Sequence, residues 1–194
     1  MTKFGKTTMA ALFGLAVIAG CDGDKKPTAG GAGGGGNTGS GTQSAAGADA
    51  IPASLVVPAA PDGAQDVSAA KKAAAKDQEV VIRGIVAGSV DPIAANRAVF
   101  TLADPSLETC DKDAGDSCKT PWDACCAEPA SIVAKSLTVQ VVGADGRPLK
   151  AGLKGVGGLA PMKVVTVKGK VRSVEGEGDK KVITVDATAI HVKP

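Results

Sequence analysis

The chain has 194 residues, with 22 lysines and arginines against 20 aspartates and glutamates, and one histidine. That near-balance excludes a whole-molecule electrostatic pull toward nucleic acid or anionic lipid, and an aromatic content of 2% with no tyrosine leaves few platforms for stacked bases. Glycine, alanine and proline crowd the first part of the chain, so roughly 115 residues remain to build a core, enough for one small domain.

The amino terminus reads as a delivery signal. Lys3 and Lys6 form a positive start, and the apolar run Met9 to Ala19 is shorter than the ~20 residues needed to cross a bilayer. It ends in Ile18-Ala19-Gly20-Cys21, an apolar residue and two small residues before a cysteine. This sequence resembles the lipobox of bacterial lipoproteins. The resemblance implies a signal peptide over residues 1–20, lipid of the palmitate class on Cys21, and a mature chain held on the extracytoplasmic side of the cell envelope. Stable anchoring takes two or more acyl chains, since one binds only marginally at ~0.8 kcal/mol per buried methylene. Asp22 next to the cysteine resembles an inner-membrane retention signal, but such rules differ between bacterial groups, so inner and outer membrane both stay open. Without Lys3 and Lys6 the mature chain carries equal numbers of basic and acidic residues.

Residues 21–78 are expected to form a tether. Ala29 to Ala48 has no apolar residue larger than alanine and cannot offset the entropy of ordering. Ile51 to Pro61 holds three prolines and a short apolar patch, and periodicity does not decide whether it docks. Helix formers from Ser68 predict a short solvated helix over 68–77, with Ser68 as its cap.

Residues 79–194 read as an all-β domain. Five segments show β-branched enrichment or alternation: 79–87, 98–103, 136–142, 163–174 and 181–192, the last two joined by a hairpin at 175–179. No useful helical period is visible from Val80 onward. The first and fourth segments each carry a mid-strand glycine, Gly84 and Gly169, a sign of the bend at a barrel corner. Strand count, order and glycine placement resemble an OB-fold, a five-stranded Greek-key barrel. A β-sandwich is the alternative. In an OB-fold a helix often lies between strands three and four, but Leu153 to Met162 is too glycine-rich to form one.

Residues 104–130 hold four of the five cysteines, Cys110, Cys118, Cys125 and Cys126. With Cys21 assigned to lipid, an oxidising compartment predicts two disulfides. Adjacent Cα atoms lie ~3.8 Å apart, too close for Cys125 to pair with Cys126. Two pairings remain: Cys110–Cys125 with Cys118–Cys126, or Cys110–Cys126 with Cys118–Cys125. The alternative is a metal site, against which stand gaps of seven, six and zero residues instead of C-x₂₋₄-C pairs. Seven acids from Asp104 to Glu128 face Lys112 and Lys119, yet Gly115 stands one place too early for an EF-hand, and a solvated acidic loop is expected. Trp122 is expected to pack against a disulfide or close a barrel end.

Catalysis is not expected, because His191 lies near the C-terminus with no nucleophile and orienting acid arguable beside it. No cofactor is expected. Lys168, Lys170 and Arg172 alternate with Val167, Gly169 and Val171, which predicts one basic strand face as a possible binding surface. Oligonucleotide binding, implied by the OB resemblance, is disfavoured because only Phe100 and Trp122 remain as aromatics after the leader. The expected role is a lipid-anchored, non-catalytic binding or structural module. Its partner would be another envelope protein or a charged envelope polymer, with metal binding by the cysteine loop as the alternative.

Overall fold

The computed structural model describes residues 50–112, 115 and 117–194. The lipobox and Cys21 lie outside the described residues. The elements run β1 (Gln65–Asp66), α1 (Val67–Ala73), β2 (Glu79–Val86), β3 (Val99–Ala103), α2 (Pro129–Lys135), β4 (Ser136–Gln140), β5 (Val164–Glu175) and β6 (Val182–Val192). Among the described residues no helix is long and apolar enough to cross a membrane.

The protein is all-β, and its pairings return on themselves. β2 pairs with β3, β3 with β4, β4 with β6 in parallel, β6 with β5, and β5 with β2. This closes a five-stranded OB-like barrel, with β1 added in parallel to the middle of β2, Gln65 opposite Ile82 and Asp66 opposite Arg83. Closure requires β2 to serve two neighbours. Its residues Glu79–Ile85 pair with β5, whereas Ile85 and Val86 pair with β3. Gly84 sits at the changeover, where a Cβ would stand 2.5 Å from the Ala103 carbonyl oxygen and 2.8 Å from Leu102 Cγ. Gly169 marks the second bend: the register of β5 against β6 shifts between Lys168 and Gly169, and a side chain there would run into the Asp186 carbonyl.

Alternation decides what enters the barrel. In β5, Val165, Val167 and Val171 are buried while Lys168, Lys170 and Arg172 are exposed. They join Ile82, Val86, Phe100, Leu102, Leu137, Val139, Ile183, Val185 and Ile190 in one continuous core.

Three expectations are corrected. The predicted tether does not extend over residues 51–78, which belong to the domain, and its part before residue 50 lies outside the described residues. Leu55 is 2% exposed within the core, Val56 bridges Ile190, and the Val57 N–H donates to the Ile190 carbonyl at 3.0 Å. Gly157 lacks the side chain that would collide with Val56. The predicted solvated helix is instead α1, which begins at Val67 and buries Val67, Ala70 and Lys71. Ser68 is not its cap. Asp66 stands at the N-cap position without making a side-chain cap bond, its carboxylate turned to Arg83 at 2.9 Å. Third, α2 follows Val80, where no helix was expected. It has seven residues, proline in its first turn and no buried residue, so there is no apolar stripe to read. The 141–163 connection has only a 3₁₀ turn at Val156–Gly158, as its glycines predict.

Lys71 ties the two helices together. It is 4% exposed and its ammonium donates to the carbonyls of Val133 and Ser136 at the end of α2. Those carbonyls have no partner within the helix, and burial lowers the lysine pKa to about 8.

Two outcomes test this architecture. Leu55→Ala is expected to lower unfolding free energy by about 2–5 kcal/mol in a denaturant titration; unchanged stability would return the segment to the tether. Gly84→Ala is expected to cost ~1–3 kcal/mol through overpacking at the bend, and an equal or higher midpoint would count against the changeover.

Candidate functional site

The cysteine loop lies against one end of the barrel on its own apolar cluster of Ala87, Ala103, Leu107, Ala124 and Ala127, with Trp122, Ile132 and Met162 packed beside them. Trp122 is partly buried against that cluster, and its indole N–H donates to the Val90 carbonyl at 2.8 Å. Its own carbonyl accepts from Gly88 N–H at 2.8 Å, tying the loop to the end of β2.

Within the loop the backbone forms two paired arms. Cys110 N–H donates to the Asp123 carbonyl at 2.8 Å and Asp111 N–H to the Pro121 carbonyl at 3.0 Å. The Lys112 ammonium reaches back to the carbonyls of Pro105, at 2.7 Å, and Leu107. This pairing overrides the unpromising spacing of the cysteines. The Sγ atoms of Cys110, Cys118 and Cys125 all lie within 4.8 Å of one another, that of Cys125 being 3.4 Å from Cys110 and 3.8 Å from Cys126. Cys118 Sγ also lies 3.3 Å from Thr120 Oγ1. Cys110 is buried, Cys118 half-buried and Cys125 exposed, so the cluster opens to solvent on one side.

The Cys125 thiol sits above its ordinary range. Its contact with Cys110 pulls it down, but the contact with Cys126, desolvation and the charges of Cys126 and Cys118 together outweigh that pull. Crowded thiols resist ionising together.

Asp104 holds the loop to the helices. Its carboxylate accepts from the backbone N–H of Ser68, in the first turn of α1, at 2.8 Å and from Ser106 N–H at 2.9 Å. Its own N–H donates to the Lys135 carbonyl at the end of α2 at 2.7 Å. Burial alone would raise this carboxyl; the two backbone donors outweigh it and bring the pKa down to about 2. Asp104 thus supplies the cap that Ser68 was expected to give.

The predicted basic face is present on β5 but largely neutralised. Lys170 pairs with Asp77 at 3.1 Å, and Arg172 pairs with Asp186 at 3.0 Å while also donating to the Gly146 carbonyl at 2.7 Å. Lys168 is exposed beside α1. A cationic concavity lies elsewhere, a cleft of about 760 Å³ whose lining includes Asn96, Arg97, Asp145, Arg147 and Lys150. Its one carboxylate, Asp145, accepts from the Arg147 backbone N–H at 3.0 Å. Sequence reasoning missed this cleft because Arg97 precedes β3 and the other two cations follow β4; the antiparallel pairing of β3 with β4, Val99 opposite Gln140, brings them together. His191, the sole histidine, places Nδ1 3.2 Å from the Val57 carbonyl and so holds the N-terminal segment.

No protein-family model and no curated protein matches the chain. Among solved structures it is similar to a hypothetical protein, ygiW, from E. coli, with 14% sequence identity, covering 69% of this chain and 94% of that one at a TM-score of 0.35.

The Asp104 geometry sets a pH dependence. A carboxyl lowered on folding contributes stability that is complete above its unfolded pKa and lost as pH falls toward the folded one. Wild type is therefore expected to lose more stability between pH ~4 and ~2 than Asp104→Asn does, read from urea midpoints at each pH; parallel curves would remove Asp104 from this role.

Proposed function

We propose that this chain is an extracytoplasmic lipoprotein, anchored through lipid on Cys21, whose OB-like barrel is a non-catalytic module that binds an anionic envelope component. The partner class is an acidic envelope protein or a charged envelope polymer, and either the inner or the outer membrane accommodates the anchor. The observation that carries the binding reading is the cleft beside β3 and β4, where Arg97, Arg147 and Lys150 surround a concavity large enough for several anionic groups. Its lone carboxylate is engaged with its own turn, so cations dominate the rim. The β5 face is the weaker candidate, since Lys170 and Arg172 already have carboxylate partners.

A non-catalytic role is supported by what the polar groups do. His191, Asp104 and Lys71 each hold backbone groups of the fold together. The anchoring reading is supported by Ile18-Ala19-Gly20-Cys21.

Two measurements test this. Cys21→Ser is expected to abolish palmitate labelling and release the protein from the membrane fraction; labelling that survives would remove the anchor. Arg97→Glu combined with Arg147→Glu is expected to weaken binding of the anchored protein to polyglutamate several-fold and flatten its salt dependence. Loss of binding only when Lys168, Lys170 and Arg172 are reversed would move the site to β5.

A further inference from the structure

We propose that Cys110, Cys118 and Cys125 form a thiolate site for one thiophilic d¹⁰ metal ion, Zn²⁺ or Cu⁺, at the end of the barrel opposite in chemistry to the cationic cleft. This goes beyond the anchoring and anion-binding reading and stands independently of it.

The geometry favours one shared centre. The Sγ atoms of Cys110, Cys118 and Cys125 all lie within 4.8 Å of one another, so one ion between them can take all three as ligands. With metal–sulfur bonds of about 2.3 Å, thiolates around a tetrahedral zinc stand ~3.8 Å apart. The contact of 3.4 Å between Cys110 and Cys125 lies near that value, within reach of a small side-chain adjustment. Cys126, with Sγ 3.8 Å from that of Cys125, stands next to the site as an additional donor.

The spacing objection from the sequence applies to ligands that converge from a single tight turn. Here convergence is achieved across two arms, by the backbone bonds of Cys110 to Asp123 and of Asp111 to Pro121. The arms are seated on the apolar cluster around Leu107 and Ala124, which places the ligands on a supported loop. One buried, one half-buried and one exposed cysteine provide a closed floor and an entry path. The ligand chemistry selects the ion class: sulfur donors prefer Zn²⁺ and Cu⁺ over the hard cations Mg²⁺ and Ca²⁺. On binding, each coordinating thiol loses its proton to solvent and forms one sulfur–metal bond, with no change in oxidation state.

The test uses the full-length protein, purified under anaerobic conditions. Metal analysis and a native mass spectrum are expected to show one zinc or one copper per chain, either of which supports the site. After metal removal and reduction, Co²⁺ is expected to bind with one-to-one stoichiometry and show thiolate-to-metal charge-transfer absorption. Cys125→Ser and Cys118→Ser are each expected to weaken that binding by at least about 100-fold, with circular dichroism unchanged. Recovery of the native protein with its loop cysteines as two disulfides, or a Co²⁺ titration lacking the charge-transfer band, would overturn the proposal. Neither result bears on lipid anchoring or the cationic cleft.

Discussion

A short barrel of five strands closes only if one strand can hydrogen-bond to two different neighbours along its length, and β2 meets this requirement at Gly84. Its first seven residues satisfy β5 and its last two satisfy β3, and the change of partner needs a backbone approach that any side chain would block. Closure removes the exposed sheet edges that an open sheet of this size would present. Within that ring the antiparallel pairing of β3 with β4 sets the connections before β3 and after β4 side by side, which creates the cationic cleft.

Two buried charges then couple the remaining elements to that barrel. Lys71 and Asp104 use their charges on backbone groups: Lys71 on the end of α2 and Asp104 on the first turn of α1, both far away in sequence, and Asp104 also on its near neighbour Ser106. A buried charge without partners would be costly, so each fixes the position of what it touches. Helices of seven residues are too short to hold their shape alone, and these bonds together with the burial of Val67 and Ala70 keep them in place. The cysteine loop inherits its position from the same links.

The charged surface is organised by local neutralisation. The alternation of Lys168, Lys170 and Arg172 along β5 was legible because a strand has a period of two, but Asp77 and Asp186, which answer two of them, lie on other segments. Conversely, Arg97, Arg147 and Lys150 look unremarkable in sequence and share a cleft only once β3 pairs with β4. The four loop cysteines were conspicuous by count, while their relation to one another was hidden: spacing argued against a common centre, and the paired arms of the loop bring three sulfurs together regardless.

What the sequence by itself determined is what local chemistry encodes: the five barrel strands, from alternation and β-branching; the two bends, from glycine inside a strand; the absence of a helix before β5, from glycine excess; and the lipobox resemblance around Cys21, from a short motif. Tertiary structure alone decided whether Ile51 to Pro61 docks, that α1 is a buried element capped from Asp104, that α2 exists, which cations face acids and which sulfurs converge. These depend on contacts between different segments of the chain, and such contacts leave no periodic trace in it because each occurs once and does not repeat along an element.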